Sequence, residues 1–188
     1  SEDLAIKKSV ISQLNYSLEN IPLFTNTSSF TPKEIHPKCK GLHFFNPIHT
    51  MQFAEVTFDR NTLLQEATTL VDSIEAFGIN LIHVKSNRGY IGNVILFQEI
   101  SATLKLIDTY NYSTESIDAV LKSMGRNINP FDMIDFIGVD ITKNILENLH
   151  AADKNIYLSP LLDKALHQNI LGRKNKTSIR NLIDSIKN

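Results

Sequence analysis

An α/β unit followed by an all-helical domain is the fold class that this 188-residue sequence predicts, on three observations. Helical and extended patterns alternate through the first 85 residues, the mark of an α/β unit. Beyond Gly89 every periodic segment reads as helix. Between the halves, Ser86-Asn87-Arg88-Gly89 interrupts both patterns, which sets the boundary within residues 85–92 and the domains at 1–87 and 88–188.

Residues 2–15 place Leu4, Val10, Ile11 and Leu14 on one side among polar residues and predict an amphipathic helix. Ile21 to Thr25 is a short apolar run, a strand that enters the polar turn Asn26-Thr27-Ser28-Ser29. Pro32 and Pro37 mark residues 30–40 as a loop with room for one helical turn. Leu42 to Phe45 and Met51 to Phe58 read as strands around a turn that includes Pro47. Thr62-Leu63-Leu64-Gln65 has the form of a capping box, opening a helix that Gly78 closes. Asn80 to Lys85 is a further apolar strand.

In the second half, residues 91–110 carry Ile91, Val94, Ile95, Phe97, Ile100, Leu104 and Ile107 on more than one face. Such a helix is expected to be buried by several neighbours or by another subunit. Ser113 caps a helix running to Gly125, and Pro130 starts another, rich in Phe131, Met133, Ile134, Phe136 and Ile137. Ser159-Pro160 is an N-cap followed by proline at the first helical position, with Gly172 expected to close that helix.

Composition removes several classes of function. Hydrophobic residues make up 42% and charged residues 21%, an ordinary globular balance with enough chain for a proper core. The formal net charge is −1 and the basic residues are scattered, which argues against a nucleic-acid partner. No apolar run reaches the length of a membrane span, and the N-terminus has no signal-peptide pattern. Cys39 is the sole cysteine, so no disulfide framework and no cysteine zinc site is expected, and a reducing, cytoplasmic setting is the simplest reading. Between Lys38 and Lys40 it reads as an incidental thiol in a loop.

The chemistry points to Gly41-Leu42-His43-Phe44-Phe45-Asn46-Pro47, with Glu55 beyond it. If strands 42–46 and 51–56 form a hairpin centred near His49, His43 faces Glu55 and Phe45 faces Phe53. Opposed residues in an antiparallel pair bring their Cβ atoms to roughly 4.5–5.5 Å, close enough for an imidazole–carboxylate hydrogen bond. The carboxylate would hold the tautomer and steady a protonated ring, which suits a general base. Taken alone, such a pair is more often structural than catalytic. Ser28, Ser29 and Asn93 could hold a small oxygen-bearing substrate, though each also reads as an ordinary turn or helix cap. His36, His49, His83, His150 and His167 lack comparable settings, and no two histidines have metal-ligand spacing on one helix, so no metal is expected.

The ordered set of motifs resembles the L-3-hydroxyacyl-CoA dehydrogenase family. The resemblance is carried by Asn26-Thr27-Ser28-Ser29, by the His43 segment with Met51 and Glu55-Val56, and by Gly89-Tyr90-Ile91-Gly92-Asn93. It continues through Asn129 to Asp140 and through Leu171-Gly172-Arg173-Lys174. It implies the C-terminal part of a Rossmann-type NAD-binding domain followed by a helical domain for substrate and dimer contacts. It implies oxidation of the 3-hydroxyl of a 3-hydroxyacyl-CoA, with NAD as cofactor, acyl-CoA as substrate and a homodimer formed through the helices. His43 would be the general base and Glu55 its orienting partner. Ser28 would hydrogen-bond the reacting oxygen and Asn93 would stabilise the developing oxyanion. Glu2, Lys7, Asn26, Ser28 and Asn46 would lie toward the cofactor. The chain departs from the family at Ser86, Asn87 and Arg88, where Asp, Ser or Thr, and Pro are usual, and at Val94 and Asn129.

A complete member would open with a strand, a Gly-x-Gly-x-x-Gly turn and a helix that receives the pyrophosphate. Of the seven glycines here, at 41, 78, 89, 92, 125, 138 and 172, no two are separated by a single residue. With Ser1 at the start, a fragment is the first expectation, ahead of a split protein or a non-catalytic dimerisation module. The isolated chain is expected to have negligible NAD affinity. A related dehydrogenase acting on a free hydroxy acid is the alternative within enzymes.

Overall fold

Strands β1 (Leu23–Thr25), β2 (Cys39–Phe44), β3 (Phe53–Val56) and β4 (Asn80–His83) form one sheet in that order in the computed structural model. Residues 3–14, 21–57, 68–126 and 129–187 are described. β1 pairs with β2 in parallel, β2 with β3 antiparallel, and β3 with β4 in parallel. Side chains alternate across a pleated strand. Leu42, Ala54 and Val56 accordingly share one face with Ile74, and Phe44 and Val71 pack beside them. Gly41, His43 and Glu55 fall on the opposite face. Helix α1 (Leu4–Gln13) is capped by Asp3, α2 (Pro32–Ile35) is a single turn, and α3 (Thr68–Ala76) supplies Ile74.

Several boundaries differ from expectation. Residue 39 is not in a loop: Cys39 begins β2 and pairs with Leu23. β3 begins at Phe53 rather than residue 51, because the amides of Thr50 and Met51 are turned back onto the Pro47 carbonyl at 2.9 and 3.0 Å. β4 stops at His83. Of the apolar set expected along α1, only Ile11 is buried, while Val10 and Leu14 are exposed. The helix contacts the one-turn α2, which covers a point rather than a stripe. The capping box at residues 62–65 lies outside the described residues, and Gly78 follows α3 at φ +76°.

The chain divides into two compact units, Ser1–Asn93 and Val94–Asn188. Helix α4 (Tyr90–Tyr110) begins in the first and supplies the second with Phe97, Ile100, Leu104 and Ile107. These buried side chains recur at three- and four-residue spacing, one face of a helix. Ile91 and Ile95, counted with them from the sequence, are exposed. The remaining helices are α5 (Thr114–Ser123), α6 (Pro130–Ile137), α7 (Val139–Ala152), α8 (Pro160–His167) and α9 (Ile179–Lys187). Phe131, Ile134, Leu146, Leu162 and Ile183 close the core around α4. Ser113, Asn129 and Ser159 cap α5, α6 and α8 with their side chains.

Gly172 does not close α8. That helix ends at His167 and Asn169 takes the left-handed turn after it at φ +55°. Gly172 instead opens a 3₁₀ turn, Gly172–Asn175, at φ +79°. A Cβ there would collide with the backbone carbonyl of Asp135. Asp135 in turn accepts the Ile179 N–H at 2.9 Å and so holds the start of α9. Gly172→Ala combines a disfavoured φ with a backbone clash and is expected to cost about 2–4 kcal/mol in urea denaturation. A loss below about 0.5 kcal/mol, the range of a harmless surface change, would refute this account of the glycine.

Candidate active site

The β2–β3 register sets His43 opposite Glu55, as the hairpin centred near His49 predicts. His43 Nδ1 lies 3.2 Å from Glu55 Oε2, with both side chains buried. With Glu55 ionised, Nδ1 carries the proton and donates it, and proton transfer then falls to Nε2. The second carboxylate oxygen, Oε1, accepts the N–H groups of Ile91 and Gly92 at 2.9 and 3.0 Å. These amides belong to the first turn of α4, where N–H groups have no intrahelical partner and the helix dipole is positive. Glu55 therefore caps a helix and orients a histidine at once.

A tight turn, Gly89 to Gly92, gathers the site. Gly89 (φ +81°) donates its N–H to the Ser28 carbonyl at 2.7 Å, drawing the 26–31 loop to the same place. Tyr90 (φ +52°) lays its ring on the His43 imidazole, with centroids 4.6 Å apart and planes 18° apart. Phe45 meets the imidazole edge-on at 4.5 Å and packs on Phe53 at 4.7 Å, the cross-strand aromatic pair the register requires. Two glycines make room: a Cβ on Gly41 would strike the Tyr90 hydroxyl, and one on Gly92 the Phe45 ring. Sequence reasoning missed Tyr90 and the two amides. The signal was the Gly89-Tyr90-Ile91-Gly92-Asn93 motif, in which two glycines bracket an aromatic residue.

The other expected site residues fall at varying distances from this centre. Asn26 Oδ1 accepts the Phe44 N–H at 2.8 Å and so fixes the strand end next to His43. Ser28 is half-buried, held through its backbone, and Asn93 is half-buried in the first turn of α4. Asn46 is exposed beside its cis bond to Pro47. Lys7 sits on α1, and its charge bears on the Cys39 thiol. Burial nonetheless pushes that thiol up to about 11, which keeps it protonated and unreactive at neutral pH. Glu2 lies outside the described residues. Among the remaining histidines, His150 Nδ1 bonds the Ile156 carbonyl at 2.6 Å, and His49, His83 and His167 are exposed.

Arg88, one of the departures from the family, pairs with Glu34. Its Nη2 donates to Glu34 Oε1, its Nε to Oε2 at 3.3 Å, and its guanidinium lies over the Phe30 ring. The bond from Arg88 holds Glu34 at about 2, below its ordinary 4.5. A carboxyl lowered on folding contributes stability that is full above its unfolded value and fades as pH falls toward its folded value. Between pH 4.5 and 2 this pair is therefore expected to weaken, by about 1 kcal/mol once solvent screening is allowed for. Arg88→Ala should flatten that part of the stability–pH curve. An unchanged curve in the variant would refute it.

Among the described residues, no group of three or more His, Cys, Asp or Glu could hold a metal ion, and no helix is long and apolar enough to cross a membrane. The fit to a dinucleotide is partial. The turn at Gly89–Gly92 is spent on Glu55 and Ser28, and no Gly-x-Gly turn exists to cradle a pyrophosphate. The carboxylate-backed His43 can take a proton, which is the part of such chemistry these residues supply.

Fold and site together define a class of protein: an α/β unit with a carboxylate-backed histidine, joined to a helical unit. Residues 1–87 match the family model described as 3-hydroxyacyl-CoA dehydrogenase, NAD binding domain, and residues 89–181 match 3-hydroxyacyl-CoA dehydrogenase, C-terminal domain. The chain belongs to the 3-hydroxyacyl-CoA dehydrogenase family. It is 30% identical over 184 residues to the human mitochondrial hydroxyacyl-coenzyme A dehydrogenase, covering 92% of this chain and 59% of that protein. It is 32% identical over 186 residues to 3-hydroxybutyryl-CoA dehydrogenase of Clostridioides difficile, covering 93% and 66%. Among solved structures, (S)-3-hydroxybutyryl-CoA dehydrogenase from Ralstonia eutropha aligns with a TM-score of 0.83 at 25% identity, over 95% of this chain and 67% of that one. The Escherichia coli K12 3-hydroxybutyryl-CoA dehydrogenase aligns with a TM-score of 0.81 at 26% identity, over 95% and 40%. The chain thus spans less than two thirds of the curated relatives it matches first.

Proposed function

We propose that this chain carries the proton-transfer site of an NAD-dependent 3-hydroxyacyl-CoA dehydrogenase. The observation that carries the proposal is the buried His43–Glu55 pair, anchored through Glu55 to two backbone amides. His43 Nε2 takes the proton from the substrate 3-hydroxyl as C3 is oxidised to the ketone. Glu55 compensates the charge the imidazole gains, and its fixed position spares the site reorganisation during the step. Ser28 bonds the reacting oxygen from its half-buried loop. Asn93 donates to the developing oxyanion from the first turn of α4. NAD, when bound, supplies the hydride acceptor. Lys7, Asn26, Ser28 and Asn46 would be the residues that contact it.

Family membership and the carboxylate-backed histidine support an acyl-CoA substrate. A homodimer through the helical unit fits the exposed Ile95, Val120 and Met124, and sedimentation at the monomer mass would count against it. The single cysteine and the absence of any described membrane-spanning helix suit a cytoplasmic setting, which fractionation of the source cells checks. The direct test is NADH-dependent reduction of acetoacetyl-CoA by this chain extended upstream with a glycine-rich nucleotide-binding turn. Turnover on CoA thioesters supports the proposal. Turnover confined to free hydroxy or keto acids, or none, refutes it.

A further inference from the structure

We infer that Tyr90 is the positioning residue of the dyad: its ring sets the plane of the His43 imidazole, while its backbone aims two amides at Glu55. The inference rests on the proposed role of His43, but its geometry stands on separate observations. Tyr90 is 1% exposed and stacked on His43, so the imidazole cannot rotate about its Cβ–Cγ bond without driving into a buried ring. Phe45 closes the edge of the same imidazole. Between them they fix the plane of the ring, and within that plane the hydrogen bond to Glu55 selects the flip that puts Nδ1 on the carboxylate.

The backbone of Tyr90 makes the second contribution. A bulky residue at φ +52° is uncommon and is retained only where its surroundings demand it. Here the left-handed turn redirects the chain so that the next two N–H groups, of Ile91 and Gly92, converge on Glu55 Oε1. One residue therefore couples both members of the pair. The hydroxyl has no part in this. It is buried without a hydrogen-bond partner, over a glycine that has no side chain to meet it. The stacked face is what acts, so phenylalanine should substitute and an aliphatic residue should not.

The test reads the ring nitrogens of the six histidines in this 188-residue chain by multiple-bond ¹H–¹⁵N correlation at neutral pH, with His43→Gln for assignment. In the unsubstituted chain, His43 is expected to show a protonated Nδ1, an upfield-displaced ring proton and nuclear Overhauser contacts to Tyr90. Tyr90→Phe keeps all three. Tyr90→Leu loses the upfield displacement and averages the two nitrogen signals. A mere core-filling role would lower the Tm of Tyr90→Leu and leave the His43 nitrogens as they were, which overturns the inference. If Tyr90→Leu does not fold, the absence of Overhauser contacts in the unsubstituted chain overturns it equally. In the active polypeptide, Tyr90→Leu should lower kcat by about tenfold or more with little change in KM, the loss expected of a base out of line. The expected nitrogen pattern in a polypeptide that carries the nucleotide turn and yet has no dehydrogenase activity would support the placement of Tyr90 and refute the dehydrogenase reading instead.

Discussion

Replacing His43 by glutamine in the polypeptide that includes the nucleotide turn is expected to lower kcat by about 10²–10⁴, the contribution of a positioned general base. Glutamine keeps an N–H that can reach Glu55, so the β2–β3 register and the carboxylate's bonds survive. It has no group that takes a proton near neutral pH. KM for the CoA thioester should stay within a few-fold, because the imidazole acts on the developing charge rather than on the bound ground state. Steady-state kinetics on acetoacetyl-CoA decide the matter. A kcat within about tenfold of the unsubstituted enzyme, below the range general-base catalysis supplies, would remove His43 from the chemistry.

The second large effect falls on stability. Glu55→Ala strips the Ile91 and Gly92 amides of their acceptor and leaves His43 buried without its carboxylate. Hydrogen bonds to a charged acceptor contribute about 1.5–3 kcal/mol each, and buried donors left unpaired are costly, so a loss of about 3 kcal/mol or more is expected. Glu55→Gln separates the two roles of the side chain. Its amide oxygen can still accept both N–H groups, so most of the stability should return, while the charge that steadies protonated His43 is gone. Urea denaturation and kcat measured on both variants test this together. Alanine and glutamine giving equal stability would mean that the two amide bonds contribute nothing.

The register of the pair was legible because β-sheet geometry is discrete. Side chains alternate, opposed residues sum to a constant, and once Phe45 is set against Phe53 the pairing of His43 with Glu55 follows. N-caps were legible at Ser113 and Ser159 for a related reason, since a short oxygen-bearing side chain serves the first free amides wherever a helix starts. The end of α8 was not. Both Asn169 and Gly172 tolerate a left-handed turn, and the choice between them depends on the Asp135 backbone, 37 residues before Gly172, which excludes any side chain at Gly172. Exposure of Val10 and Leu14 was hidden for the same reason. Amphipathic spacing says which side chains share a face, not whether anything covers it.

What the sequence by itself determined is the order of the strands and of the helices other than α7 and α9, the division into an α/β part and a helical part, and the facing of one histidine and one glutamate. All of these follow from periodicity and from motifs read along the chain. Only the tertiary structure decided that Glu55 is held by two helix amides, that Tyr90 covers the imidazole, and that the Ser28 loop is tied to the same turn. These contacts join residues dozens of positions apart. They depend on where a left-handed turn points its amides, and no local pattern of residue types encodes that direction.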